Sequence, residues 1–330
     1  MMKTENKKIT MKEIAELAGV TKTTISRYFN GGYIKKETKE KIAKIIKKYN
    51  YEPNTFARLK ARRSYMIGII VPALDSIITS RVLTGLERTF REKNYMPIIM
   101  NTNHENELEI KYIEKLKRLN VDGIVLSATY ITAEHKKILK KLDIPFVIYG
   151  QEYSDGISII NDDYNAGVEI GEYIAKRNHK NIGFISVDEK DVAIGVNRRN
   201  GIIDGLKKYK IQQINIEIAD FSYDSSKIAA KKLLKNKKLD TIICSTDRQA
   251  HSVYMVAKEM GLKIPDDISV ISFGGYEIDK IIEPELSTIK FDSFNAGVSA
   301  ANTLINLINN IKVEKVFYID YTFIEGKSVK

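Results

Sequence analysis

Apolar residues follow two different patterns along the chain, and the change falls near residue 65. In the first part they recur at helical spacing. Met11, Ile14, Leu17 and Ala18 share one face of a helix that Thr10 is placed to cap, with Glu13 three residues on. Gly19 supplies a backbone free to turn sharply. Thr21 caps a second helix, in which Ile25 and Phe29 continue the apolar face while Lys22, Thr23, Ser26 and Arg27 point elsewhere. Asn30, Gly31 and Gly32 stop it. A third helix over Lys36–Tyr49 buries Ile42, Ile45, Ile46 and Tyr49 and leaves a row of lysines outward. Three short helices with this turn predict a helix-turn-helix unit, whose second helix enters a DNA major groove by its N-terminal end.

From Met66 the pattern changes to short apolar runs alternating with amphipathic stretches. Strand-like runs stand at 66–71, 97–100, 123–127, 146–149, 157–160, 182–186, 241–245, 269–273, 287–289 and 316–323. Helical patterns lie between most of them, over 78–93, 105–120, 165–177, 197–209, 225–234, 249–260 and 294–310. Such alternation predicts parallel sheets covered by helices on both sides, and so many strands suit two lobes better than one sheet. The expected division is a head over 1–52, a linker over 53–64 and a core over 65–330. Lobe 1 takes about 65–160 and 290–316, and lobe 2 about 161–289 and 317–330.

Charge sharpens this division. Residues 1–64 hold 17 Lys and Arg against 6 Asp and Glu, which accounts for the whole chain's net charge of +11, and the remaining residues balance. A basic surface confined to one small helical module is the footprint of a polyanion-binding head on a neutral body. The hydrophobic runs are too short to span a bilayer, and the N-terminus lacks the apolar stretch of a secretory signal. A single cysteine, Cys244, excludes an internal disulfide framework and fits a reducing cytoplasm. Four scattered histidines form no metal-ligand pattern. No Ser-His-Asp set, phosphate-cradling glycine loop or motif-placed carboxylate pair marks an enzyme. No catalytic residue, metal or cofactor is therefore assigned.

The segment EIAELAGVTKTTISRYFNG, followed by KETKEKI and YNYEPNTFAR, resembles the head of the LacI/GalR family of bacterial transcription repressors. The resemblance continues through SYMIGIIVP, STDRQAH, PDDISVISFGG and PELSTIKFD, and so covers essentially the whole chain. It implies an N-terminal all-α helix-turn-helix head joined to an α/β, periplasmic-binding-protein-like core of two parallel-sheet lobes. Carried over by position, Lys22, Thr23 and Arg27 are the base readers. Arg and Lys donate to guanine O6 and N7, and Thr offers a hydroxyl and a methyl to base edges. Thr21, Thr24, Ser26 and Asn30 hold phosphates or the turn. The resemblance also implies that the segment from Asn54 to Lys60 becomes a hinge helix on DNA, with Leu59 as a minor-groove wedge and Arg58 and Lys60 on phosphates. The spacing from the Pro-Asn pair to Leu59 is one residue shorter here than is usual in the family.

Two such lobes bind a small molecule in the crevice beside the carboxyl ends of their strands. The polar residues expected there are Asp75, Ser76, Ser127 and Gln151 from the first lobe. The second lobe offers Asp162 beside Asp163, then Arg198, Thr246, Asp247, Tyr276 and Glu277. The resemblance puts Arg198 at the arginine of an R-x-x-G pattern ending at Gly201, where its planar fork grips sugar hydroxyls or a phosphate. Two departures stand out: Gly274 and Gly275 replace an aspartate common in the family, and ALDS replaces an Asn-Pro pair. VPALDS, YGQ, NDDYNAG and EKDVAIGVNRR are similar to the branch that senses disaccharides such as sucrose or trehalose, or their phosphates.

The expected protein is thus a cytoplasmic repressor of a carbohydrate-utilisation operon. It acts as a homodimer on a pseudo-palindromic operator, answers to a small sugar or sugar-phosphate effector, and involves no membrane. Two alternatives are a carbon-catabolite regulator controlled by a phosphorylated partner protein and, from a different class, a sugar-binding protein without a regulatory role.

Overall fold

The computed structural model describes residues 9–29, 32–49, 51 and 63–330, which fall into two compact units divided between Ser64 and Tyr65. In the first unit, helices α1 (Met11–Ala18), α2 (Lys22–Phe29) and α3 (Lys36–Tyr49) enclose Ile14, Ala15, Ala18, Ile25 and Ile42. Thr10 and Glu13 close a reciprocal capping box on α1, and Gly19 ends it in the left-handed region at φ 66°. Leu17 and Tyr49 are 47% and 42% exposed, so the buried face is narrower than the periodicity predicts. The core of so small a unit is filled by the residues nearest the three-helix axis.

The second unit alternates strands and helices. Its first sheet holds β1 (Met66–Val71), β2 (Met96–Asn101), β3 (Gly123–Ser127), β4 (Phe146–Tyr149), β5 (Ser158–Asn161) and β11 (Val316–Ile319), all parallel, in the order β11-β5-β4-β3-β1-β2. The second holds β6 (Ile182–Ser186), β7 (Ile214–Ile218), β8 (Thr241–Cys244), β9 (Ser269–Phe273), β10 (Ser287–Phe291) and β12 (Tyr321–Ile324), in the order β12-β10-β9-β8-β6-β7. Only β12 runs antiparallel there, against β10. Central strands such as β1, β6, β8 and β9 are buried along their whole length, as sheets covered on both faces require. Helices α4 (Ile77–Glu92), α5 (Asn106–Arg118), α6 (Ala133–Leu139) and α11 (Ser293–Ile308) belong to the first lobe. Helices α7 (Asp163–Lys176), α8 (Arg199–Lys207), α9 (Tyr223–Leu234) and α10 (Asp247–Glu259) belong to the second.

The apolar run 316–323, expected as one strand, is two. It breaks at Asp320, giving β11 to the first sheet and β12 to the second. The Asp320 carbonyl accepts from the Asp292 N–H at another crossing, so the chain changes lobes near 161, 292 and 320. A run of extended backbone carries no sign of which sheet edge it joins, and the lobe boundary accordingly lies beyond β11 and not within it.

Candidate DNA-reading face and effector cleft

On the head, Thr21 accepts from the Thr24 N–H at 3.2 Å and shares a hydroxyl contact with Thr24 at 3.0 Å, fixing the start of α2. Ile25 is fully buried and anchors this helix, whereas Lys22, Thr23 and Arg27 are exposed and Ser26 is half-buried. The exposed face thus presents two cations and a hydroxyl from the first two turns. Asn30, Asn54, Arg58, Leu59 and Lys60 lie outside the described residues.

In the core, the carboxyl ends of the two sheets face each other and several side chains bridge them. Arg81, on α4, donates to the carbonyls of Gly274 and Gly275 at 3.0 and 2.7 Å and to Glu277 Oε1 at 2.8 Å. Arg248 donates to Asp75, both side chain and carbonyl, at 3.2 and 2.9 Å. Gln151 Nε2 donates to Asp191 Oδ1 at 3.0 Å and to the Thr129 carbonyl at 2.8 Å. The His104 and Phe221 rings stack at 5.5 Å with an interplanar angle of 14°. These bridges draw the lobes together around the crevice.

Arg198 lies behind this line, 4% exposed. Its Nε and one terminal nitrogen donate to Asp163 Oδ1 at 2.8 and 2.5 Å, the other donates to the Ser245 carbonyl at 2.5 Å, and the guanidinium sits over Phe273 at 4.4 Å. Three of a guanidinium's five N–H groups are thereby used. A π-helical turn over Val192–Arg198 precedes α8, and Gly201 lets α8 approach α7 so closely that an added Cβ would stand 2.0 Å from the Tyr164 carbonyl. That approach is what sets Arg198 against Asp163. Burial pushes the Asp163 carboxyl up to about 6, against the opposing pull of Arg198, and burial also raises Asp191.

The remaining expected residues divide by role. Ser76, Asp162 and Thr246 each cap a helix, accepting from Thr79, Asn165 and Gln249 N–H groups. Ser127 ends β3, half-buried. Asp247 is fully buried and accepts from the Ser272 and Thr288 hydroxyls at 2.5 and 2.7 Å and from the Tyr276 N–H at 3.2 Å. Burial, then the neighbouring Asp279, raises its pKa well above the usual carboxylate range. Asp247 thus supports the loop from Gly274 to Tyr276 from below. The glycines are needed there: an added Cβ on Gly274 would stand 2.3 Å from Asp247 Oδ2, and one on Gly275 2.4 Å from Lys290 Cβ. Tyr276 is buried, Glu277 is exposed, and both flank the Arg81 bridge. Sequence reasoning did not select Arg81, Arg248, Asp191, His104 or Phe221. Arg248 had a signal, because it follows Asp247 just beyond the strand end, in the first turn of α10. Arg81 had none, since an arginine on an amphipathic helix reads as solvent-facing.

The family model for "Bacterial regulatory proteins, lacI family" matches residues 10–54, and that for "Periplasmic binding proteins and sugar binding domain of LacI family" matches residues 64–326. The "Sucrose operon repressor" of Staphylococcus xylosus is 34% identical over 310 residues, 93% of this chain and 96% of that protein. "Catabolite control protein A" of Staphylococcus epidermidis is 27% identical over 317 residues, 93% of this chain and 94% of the relative. Among solved structures, the lac repressor dimer bound to operator and the anti-inducer ONPF matches with a TM-score of 0.86 at 21% identity, covering 98% of this chain and 99% of that one. The transcriptional regulator CelR–cellobiose complex matches at 0.74 and 21%, covering 97% and 99%. A helix-turn-helix head with a cationic reading face, a two-lobed parallel-sheet core and these matches together show that the chain belongs to the LacI family of bacterial regulatory proteins, the DNA-binding, sugar-responsive repressors.

Proposed function

We propose that this repressor binds a pseudo-palindromic operator as a cytoplasmic homodimer and is controlled by a neutral disaccharide of the sucrose class held between its lobes. The observation that carries the effector reading is the charge pairing of the cleft. Three guanidiniums, Arg81, Arg198 and Arg248, meet four carboxylates, Glu277, Asp163, Asp75 and Asp191, with the first three pairs in direct contact. An anionic sugar phosphate needs an uncommitted cation, whereas a polyol needs donors and acceptors of no net charge. The similarity to a sucrose operon repressor along nearly the whole chain supports the same class.

The dimer reading rests on apolar side chains left on the surface of each lobe. Met96 and Ile99 are about half exposed on edge strand β2. On lobe 2, Ile228 is 60% exposed and Ile281 80%, and Met255 and Ile278 are exposed as well. Paired heads on one two-fold axis match paired operator half-sites. On the head, Lys22, Thr23 and Arg27 read bases.

Titrating the full-length protein by calorimetry with sucrose, trehalose, fructose and sucrose 6-phosphate tests the effector. Sucrose or another neutral sugar is expected to bind and to lower operator affinity. A phosphorylated sugar binding at least tenfold tighter than its neutral parent would overturn the neutral reading. No binding by any sugar, with capture of a phosphorylated carrier protein, would favour control by a partner.

A further inference from the structure

Among the described residues, several buried amide atoms at the carboxyl ends of the strands have no hydrogen-bond partner in the protein. They include Oδ1 of Asn101, the last residue of β2, Oδ1 of Asn161, the last residue of β5, and both Nε2 and Oε1 of Gln249. Gln249 is the extreme case, because its side chain is fully buried and neither end of the amide is paired. Native interiors rarely leave such a group without some partner, protein, water or ligand.

The position of Gln249 points to the cleft. It lies in the first turn of α10, immediately after Asp247 and Arg248, which support the Gly274–Tyr276 loop and reach Asp75 across the crevice. Thr246 to Gln249 has the spacing of a capping box, and the Thr246 hydroxyl does accept from the Gln249 N–H at 3.3 Å. The glutamine side chain makes no return bond. One turn further along the same face, Ser252 donates to the Tyr223 carbonyl at 3.3 Å, so this face of α10 looks toward the chain entering α9. Just before that entry stands Phe221, stacked on His104 of the other lobe. Helical side chains lean toward their own N-terminus, which here is the strand-end, cleft side of α10.

An amide places a donor and an acceptor side by side. Two neighbouring hydroxyls satisfy both, one donating to Oε1 and the next accepting from Nε2, whereas a fully ionised phosphate group has no hydrogen to give Oε1. We propose that Gln249 is a specificity-determining residue of the effector site, pairing with a vicinal diol of a neutral sugar beneath the Phe221–His104 stack. This rests on the neutral-sugar reading above and adds the residue that reads the hydroxyls.

Gln249→Met, which keeps length and removes both polar ends, tests it in the full-length protein, with melting followed without sugar and sucrose binding measured by calorimetry alongside the panel of neutral sugars. The expected result is a higher melting temperature without sugar together with at least tenfold weaker sucrose binding. Gln249→Glu is expected to weaken binding too, since it loses the donor. A wild-type protein that binds no neutral sugar defeats the effector reading and this assignment with it. A wild type that binds sucrose, paired with a Gln249→Met variant that binds it equally well or melts lower without sugar, defeats the assignment alone.

Discussion

Arg81 makes the clearest case of a contact that governs the cleft without belonging to either lobe's core. Its side chain is 17% exposed and gives three hydrogen bonds to the other lobe, two to carbonyls and one to a Glu277 side chain that is 82% exposed. A hydrogen bond from a charged donor is worth about 1.5–3 kcal/mol when shielded, while an exposed ion pair adds only about 0–1. Arg81→Ala also removes the cost of up to ~2 kcal/mol that ordering this side chain imposes on closure. The net loss to the closed arrangement is therefore about 1–5 kcal/mol. If the effector binds only between closed lobes, its apparent affinity falls with the closed fraction, and the variant should bind sugar more weakly, by up to tenfold for each ~1.4 kcal/mol of that loss. Small-angle scattering of the sugar-free protein should show a larger radius of gyration, and calorimetry the weaker binding. Glu277→Gln should change affinity less than about fivefold, because its partner bond is solvated. Equal scattering and equal affinity in Arg81→Ala and wild type would refute the bridge as a determinant of closure.

Three further outcomes follow from the same structure. Arg27→Ala should cost about 1–3 kcal/mol on operator and far less on a scrambled duplex, and an unchanged operator-to-scrambled ratio in fluorescence anisotropy would remove Arg27 from base reading. Arg198→Ala should destabilise the core by about 3–5 kcal/mol in urea melts, since it leaves the buried Asp163 carboxylate without its cation. With Asp163 raised to about 6 from the ordinary 3.8, the folded state holds this proton longer than the unfolded chain, so its contribution to stability is full below about 4 and is lost as pH rises to about 6. Asp163→Asn should flatten that slope, and an unaltered pH profile would show that the carboxyl does not titrate there. Ile281→Asp should shift the sedimenting species toward monomer; an unchanged dimer would place the interface elsewhere.

The strands and the head were legible because their signals are local. Buried parallel strands read as continuous apolar runs, and Thr10, Gly19 and Thr21 act within a few residues of themselves. Strand β7 was missed because its residues lie half-buried or exposed at a sheet edge, with polar residues between the isoleucines, and never form such a run. In the cleft, Arg198 could be placed from its spacing to Gly201, but its contact with Asp163 requires the close packing of α7 and α8 that the glycines permit. The Gly274 and Gly275 pair was visible as a departure from the family's aspartate. Its purpose was not, because the partner of those carbonyls is Arg81, 193 and 194 residues away in sequence.

The loss of that aspartate has a physical counterpart elsewhere in the cleft. With glycines at 274 and 275 the loop lies against Asp247 and offers backbone carbonyls, so no side chain there can accept a sugar hydroxyl. Unpaired acceptor capacity sits on buried amide oxygens at the strand ends, with Gln249 unpaired at both ends of its amide. Asp247 joins the two features, since it belongs to the same first turn of α10 as Gln249 and holds the Tyr276 N–H at the end of the bridged loop. A ligand that orders Gln249 therefore acts on the turn that fixes the loop Arg81 must reach. Effector affinity and lobe closure are then one coupled equilibrium: whatever Arg81 adds to the closed fraction it adds to binding, and a sugar bound at Gln249 favours the Arg81 bridge in return.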